Sequence, residues 1–311
     1  MFLSVSRRTD IPALYGEWIA NRFREGFVCV RNPFAVHRVS KVLLAPDKID
    51  GIVFWTKNAI GFARYLDCFS EYPFYFQYTI NPYGNDIERL PGPKENIIDN
   101  FIELSGRLGK SRMLWRYDPI LCSDAISTEY HAQWFERLCQ KLSSHAGKCI
   151  ISFIDPYKKI ERQMETNSIK VPDRQQMTEL ARLISGIAGK YGIIVETCCE
   201  NADLADCGIA PGRCIDDALF SSITGFKYKA GKDRNQRKEC ACVESIDVGQ
   251  YDTCTNGCIY CYASSNRKIA RLNTSRHNPK SPLLVGELEE DDIVTERTVE
   301  SAKLERDSSG R

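Results

Sequence analysis

The stretch from Gly51 to Asp86, "GIVFWTKNAIGFARYLDCFSEYPFYFQYTINPYGND", decides the fold. Two runs rich in β-branched and aromatic residues, "GIVFW" and "FYFQYTI", stop at the polar clusters "TKN" and "NPYGND", with the amphipathic "IGFARYLDCF" between them. Strand, polar stop, helix, strand and polar stop make the repeating unit of a parallel sheet. The same alternation appears in "FLSVS" before "RRTD", "MLWRY" before "DPI", "CIISFI" before "DPY" and "GIIVE" before "TCCEN".

The segments between these runs include "ALYGEWIANRFREG", "KENIIDNFIELSGRLG", "EYHAQWFERLCQKLSS" and "QMTELARLISGIAGKYG". Several carry apolar residues at i, i+3, i+4 and i+7, and most finish near a glycine, as helices do. An α/β fold follows, and this many units predict a closed or nearly closed, TIM-like (β/α) barrel over residues 1–230. "FVCVRNPFAVHRVSKVLL", residues 27–44, reads as an inserted hairpin turning at Asn32 and Pro33.

A net charge of +1 and 27% charged residues point to no global partner. Apolar runs such as "CIISFI" fall far short of the ~20 residues a membrane span needs. "MFLSVSRRTD" has its basic residues after the apolar run and does not read as a signal peptide, so the expected compartment is the cytoplasm. From Val285 onward the chain is rich in acidic residues and poor in large apolar ones; residues 285–311 read as a solvated, disordered tail.

Fourteen cysteines are many for a reducing compartment. Cys29, Cys68, Cys122, Cys139 and Cys149 each stand alone among apolar or helical residues and read as small buried hydrophobes. The other nine fall between Cys198 and Cys261, a clustering that points to metal or redox work. Residues 231–284 therefore read as a cysteine-rich segment packed on the barrel.

"CTNGCIYC" spaces Cys254, Cys258 and Cys261 as C-x3-C-x2-C. Three thiolates so placed can hold one face of a [4Fe-4S] cluster and leave its fourth iron open. Zinc competes, because Cys258 and Cys261 form a C-x2-C half-site, but a zinc ribbon ordinarily shows two such pairs. In so thiol-rich a segment, coincidence is the third reading. Cys198, Cys214, Cys240 and Cys242 make four further thiols, enough for a second, fully ligated cluster or a structural zinc, with Cys199 and Cys207 as substitutes and ordinary buried thiols as the alternative.

In a barrel the residues just after each strand converge on one rim. Arg7, Arg8 and Asp10, Lys57, Arg116 and Asp118, Asp155, and Glu196 and Glu200 hold such positions, and Gln77 alternates toward the same interior. Paired charges of this kind are partnered or functional when buried. Arg7, Arg8, Lys57 and Arg116 suit carboxylates of substrate or cofactor, and the acidic residues suit hydroxyl contacts or proton transfer. Each also has a bland reading, since Asp10 could cap a helix and the "DP" pairs start turns well. "FKYKAGKDRNQRKE", residues 226–239, mixes basic and aromatic residues and could follow a nucleic-acid backbone, or be merely solvated. No histidine pair, nucleophile elbow, phosphate loop or dinucleotide fingerprint is present, which weighs against hydrolase, nucleotidase and dehydrogenase readings.

"CTNGCIYCYA" resembles the cluster loop of radical S-adenosylmethionine enzymes, and its "YCYA" is similar to the branch of spore photoproduct lyase and DNA-repair-photolyase-like proteins. From "SVSRRTDIPA" through "FWTKN", "FQYTI", "WRYDPI" and "SFIDPY" to "QRKECACVESIDVGQYDTCTNGCIYCYA" the chain resembles the bacterial family of unknown function DUF1848. The resemblance implies that Cys254, Cys258 and Cys261 ligate a [4Fe-4S] cluster, that S-adenosylmethionine chelates the open iron, and that Tyr260 lies near the adenine. It implies a 5′-deoxyadenosyl radical as the reactive species and an electron donor such as a flavodoxin or ferredoxin; the substrate, a small molecule or a nucleic acid, is left open. Radical S-adenosylmethionine enzymes generally carry this loop after the first strand, whereas here it begins at Cys254. A permuted radical-SAM-like barrel resolves the difference if "ACVESIDVG" enters beside "FLSVS". Two other readings are a non-catalytic or electron-transfer iron-sulfur protein and a zinc-stabilised nucleic-acid-binding module.

Overall fold

A computed structural model describes residues 1–89, 92–264, 266–298 and 300–304. Along the chain run β1 (Phe2–Val5), α1 (Ile11–Leu14), α2 (Gly16–Glu25), β2 (Phe27–Asn32), β3 (Ala35–Leu43), β4 (Gly51–Thr56), β5 (Phe74–Thr79), α3 (Lys94–Leu108), β6 (Met113–Ile120) and α4 (Thr128–Leu142). Then come β7 (Lys148–Phe153), α5 (Glu161–Thr166), α6 (Arg174–Lys190), β8 (Val195–Thr197), β9 (Ala210–Pro211), α7 (Asp217–Thr224), β10 (Ser245–Asp247), α8 (Arg267–Ser275) and β11 (Ile293–Glu296).

Eight strands form one parallel sheet in the order β10-β1-β4-β5-β6-β7-β8-β9. The expected barrel is thus an α/β fold with a large parallel sheet, and no pairing joins β9 to β10 among the described residues. Strand side chains alternate between two cores, as a period of two requires. Leu3, Ile52, Phe54, Phe76, Trp115 and Ile151 face the helices, packing with Trp18, Phe101, Phe135 and Ile184. Phe2, Val53, Tyr75, Leu114 and Ile150 face the other way, against Phe220 of α7 and Ile215, Cys214, Cys240 and Cys242. Phe220 stacks 4.9 Å from Phe2 and lies tilted 4.8 Å from Tyr75. Gly51 makes room for it, since a Cβ there would lie 2.1 Å from the Phe220 ring.

Local signals fix the helix ends. Gly26 closes α2 at φ +78°, Ser127 caps α4 through Tyr130 N, and Asp173 with Gln176 forms a capping box on α6. "IGFARYLDCF" instead forms 3-10 turns over Ala63–Phe69, and its buried Leu66 and Phe69 sit three residues apart, the spacing that tighter helix favours.

β2 and β3 pair antiparallel outside the main sheet, and β11 joins β3 in parallel. The stretch read as a solvated tail therefore carries a fully exposed strand, and Ser301 and Ala302 bind buried Asp50 at 2.5 and 2.7 Å. Those contacts come from distant chain segments and leave no local signal. Residues 305–311 lie outside the described residues. Among the described residues no helix is long and apolar enough to cross a membrane.

Candidate functional site

The C-terminal ends of the parallel strands open into a cavity of about 460 Å³. Its floor and walls come from the turns after β1, β4, β6 and β7, from residues 198–199 and 235–242, and from the loop at 254–263. That last loop reaches the rim because β10 lies beside β1. Asp247 makes the junction: its carboxylate accepts from Ser4 Oγ at 2.8 Å, Ser6 Oγ at 2.5 Å, Arg7 N at 2.8 Å and Gly249 N at 3.0 Å. A three-residue strand gains little from its own ladder, so these charge-assisted bonds set the register.

Beyond β10 the chain folds tightly around Cys254, Cys258 and Cys261. Gly257 takes φ +68°, a conformation glycine adopts without steric penalty, and Asp252 takes φ +58°. Ser264 Oγ donates to Cys254 O at 3.2 Å, Cys261 N to Cys258 O at 3.2 Å, and Ile259 N to Ile87 O at 3.1 Å. Asp10 ties this loop to the sheet: it caps α1 through Ala13 N, and accepts from Lys57 N at 2.9 Å and Asn256 Nδ2 at 3.1 Å. Burial raises the carboxyl pKa of Asp10 and pushes the Cys254 thiol up to about 12.

The three thiols line the cavity. Among the described residues they do not form a group with ligand atoms all within 4.8 Å of one another, the compactness a single ion demands. Three soft sulfur donors that are spread apart and face open space fit a larger inorganic group better than one tetrahedral ion. Among the described residues the one group of that compactness is exposed and outside the cavity, at His37, Glu289 and Asp291.

Two ionic networks flank the thiols. Lys57 Nζ lies 2.9 Å from Glu88 Oε1 and 2.9 Å from the Tyr260 hydroxyl, which donates to the same carboxylate; Asn81 Nδ2 adds a bond to Glu88 at 2.8 Å. Burial works against both charges, but their mutual attraction and hydrogen bonds win, lifting the Lys57 pKa and lowering that of Glu88. Arg116 forms the second network. Its guanidinium pairs with Asp118, accompanies Gln77 Oε1 at 3.2 Å and Cys214 Sγ at 2.9 Å, and lies 5.2 Å over the Trp55 ring. Ser152 donates to the other Asp118 oxygen.

Arg7, Arg8, Asp10, Lys57, Arg116, Asp118, Asp155 and Tyr260 thus meet on the same cavity as Cys254, Cys258, Cys261, Cys198, Cys199, Cys214, Cys240 and Cys242. Arg7 is held by Asp233 and Asp247, and Asp155 pairs with Arg237 at 2.5 Å near the mouth. Three expected residues are not on this surface. Glu196 sits within β8, one strand position short of the rim, and binds Lys148 at 2.7 Å. Glu200 turns back to accept from Phe153 N at 2.7 Å, and burial raises its pKa to about 7. Gln77 is wholly buried and donates to Cys214 O at 2.9 Å, supporting Arg116 from beneath.

Residues unnoticed in the sequence include Glu88, Asn81, Ser152, Asp233 and Asp247. Ser152 was legible from the alternation in "CIISFI"; the others lie in loops or a very short strand with no periodicity. In the basic segment, Asp233 is buried, Arg237 faces Asp155, and Tyr228 packs edge-on against Phe2 at 5.6 Å, so part of its charge and aromatic surface is already engaged.

The fold and site define an α/β protein whose parallel sheet carries a thiol-rich, charged cavity at its C-terminal rim. The chain belongs to the DUF1848 family, described as a domain of unknown function, whose model matches residues 2–263. The matched span takes in every residue lining the cavity. No curated protein and no solved structure matches the chain.

Proposed function

We propose that this protein is an iron-sulfur enzyme of the radical S-adenosylmethionine type, with Cys254, Cys258 and Cys261 holding a [4Fe-4S] cluster that opens into the cavity. One observation carries this reading: three thiols of a C-x3-C-x2-C loop face the same open space as the charged ends of the parallel strands. The position of β10 supports it, because the loop that comes last in the sequence follows a strand that precedes β1 in space. In this reading the sheet is a permuted, incomplete (β/α) barrel, with α7 and the cysteine-rich segment filling its interior.

When bound, such a cluster supplies one-electron cleavage of the S-adenosylmethionine sulfonium. The chain's own residues bind, orient and exclude water. The Lys57 ammonium, held by Glu88, offers a fixed positive charge beside Cys258 for a cofactor carboxylate, and Tyr260 supplies a rigid wall. Arg116 and Asp118 offer a donor and an acceptor to substrate, while Tyr157, Asp155 and Arg237 form the rim through which it enters. An acidic one-electron carrier such as a flavodoxin or ferredoxin would meet α8, which follows the cluster loop and exposes Arg267, Lys268 and Arg271 beside Ile269 and Leu272. Such oxygen-sensitive, thiol-based chemistry suits the cytoplasm.

The test is anaerobic incubation of the iron-loaded protein with dithionite and S-adenosylmethionine, measuring 5′-deoxyadenosine and methionine. The reading predicts both products from the native chain and neither from Cys258→Ala. Native protein that holds iron but yields neither product would refute catalysis and leave electron transfer. Zinc in place of iron would point to the nucleic-acid-binding reading.

A further inference from the structure

The cysteines upstream of the cluster loop form a second group. Cys198 follows β8, Cys214 follows β9, and Cys240 and Cys242 precede β10. These three separate segments bring their thiols together: Cys198 and Cys214 Sγ lie 3.0 Å apart, Cys214 interacts with Cys242, and Cys242 with Cys240. Cys199, which also lines the cavity, interacts in turn with Cys240.

We infer that Cys198, Cys214, Cys240 and Cys242 hold a second metal centre, a four-thiolate iron-sulfur cluster on the wall of the same cavity. Its existence does not depend on the catalytic reading of the first.

Three observations support it. The backbone from residue 226 to 244 has only isolated bridges at Tyr228 and Lys232 and one at Val243, yet Cys240, Cys242 and Val243 are buried against the sheet. Most of this segment is exposed and is held by the ion pairs of Asp233 with Arg7 and Arg237 with Asp155, yet it turns inward at Cys240 and Cys242 and sets two thiols against the sheet, where a metal centre would fasten it. The sulfurs are also provided with donors: Arg116 reaches Cys214 Sγ at 2.9 Å, and Ile215 N reaches Cys242 Sγ at 3.4 Å. Such N–H groups stabilise thiolate ligands and tune a cluster's potential. Finally, the thiols run in a row, 198 to 214 to 242 to 240. A single zinc ion would draw four sulfurs to about 3.8 Å from one another, given a Zn–S distance near 2.3 Å. Among the described residues no three of these ligand atoms lie mutually within 4.8 Å, whereas Cys198 and Cys214 are 3.0 Å apart, so the row fits two irons that each take a neighbouring pair of thiolates better than one ion, or than a cubane whose thiolates stand on separate irons. Arg116 and Asp118 stand between this group and Lys57 beside Cys258, so a molecule in the cavity would face both centres.

The experiment is iron, acid-labile sulfide and zinc analysis of the full chain reconstituted anaerobically. The proposal predicts about six iron per native chain, about two in Cys258→Ala and about four in the double variant Cys240→Ser, Cys242→Ser, since a cubane holds four and a four-thiolate two-iron cluster two. Cys199→Ala should keep the native content. About four iron in the native chain, retained by the double variant and lost in Cys258→Ala, would overturn the second centre and leave the first standing. The converse, iron retained in Cys258→Ala and lost in the double variant, would keep the second centre and refute the proposed catalytic cluster. One zinc per chain, or a Cys198–Cys214 disulfide beside about four iron, would also overturn the proposal. The native count is decisive even if a variant fails to fold.

Discussion

Replacing Glu88 by glutamine removes one charge from the pair that supports Tyr260 at the cavity wall. The Glu88 side chain is 2% exposed and that of Lys57 is 15% exposed, with 2.9 Å between the charged atoms. At an effective dielectric constant of 20 the gross attraction is about 6 kcal/mol. Desolvation offsets much of this in the intact pair, but a variant lacking one partner leaves the other charge buried alone, which costs roughly 3–5 kcal/mol. Glutamine keeps the shape and still accepts from Asn81 and Tyr260, so the loss reports the charge. Urea unfolding of chelator-treated protein avoids mixing in the loss of a bound ion. Glu88→Gln should lose about 3 kcal/mol, and a cycle with Lys57→Met should show coupling of about 2 kcal/mol or more, because the double variant strands no charge. The lowered pKa of Glu88 gives the sign with pH: its contribution is present above the ordinary carboxylate value of 4.5 and is lost as pH falls through the folded value. A loss under about 0.5 kcal/mol with no coupling would refute the reasoning.

Other perturbations probe the interior packing, a buried histidine and the basic face of α8. Gly51→Ala forces a methyl into the Phe220 ring and should destabilise by about 1–3 kcal/mol, with partial rescue by Phe220→Leu; a neutral effect in thermal unfolding would count against the interior packing. His131 is buried, with Nε2 at 2.9 Å from Leu121 O and Nδ1 at 2.8 Å from the Tyr117 hydroxyl, and burial lowers its pKa below 6.5. Its neutral form is favoured in the folded state, so stability should fall by up to about 1.4 kcal/mol per pH unit as pH drops below 6.5, until the folded pKa is reached. His131→Gln should flatten that slope, and an unchanged slope in urea midpoints would contradict the assignment. Reversing Arg267, Lys268 and Arg271 to glutamate should slow reduction by an acidic flavodoxin about tenfold at low salt and much less at high salt, read by stopped-flow absorbance; equal rates would remove α8 as the docking face.

The parallel sheet was legible because most strand runs end in a polar stop and most helical segments finish near a glycine. The parity of "FYFQYTI" put Gln77 on the inner face, but it could not say that Cys214 and Arg116 would cover it. Glu196 shows the same limit along the strand axis: it stands one step below the rim, where Lys148 of β7 takes its charge. β10 is three residues long and owes its place to Asp247 meeting Ser4, Ser6 and Arg7 from the other end of the chain. β11 is polar and exposed, and it forms on the edge that β3 offers. In "CTNGCIYC" the meeting of three thiols on one loop was legible because their spacing is local. Glu88 was not, because a lone carboxylate in a loop carries no pattern until folding brings Lys57 to it.

An open iron at Cys254, Cys258 and Cys261 that S-adenosylmethionine can reach is what the proposed enzyme requires above all. Electron paramagnetic resonance of the anaerobic, dithionite-reduced protein, with and without S-adenosylmethionine, tests it most directly. The expected result is a reduced [4Fe-4S] signal that changes on addition of the cofactor and is missing from Cys258→Ala. A signal indifferent to S-adenosylmethionine, or one that survives intact in Cys258→Ala, would contradict it.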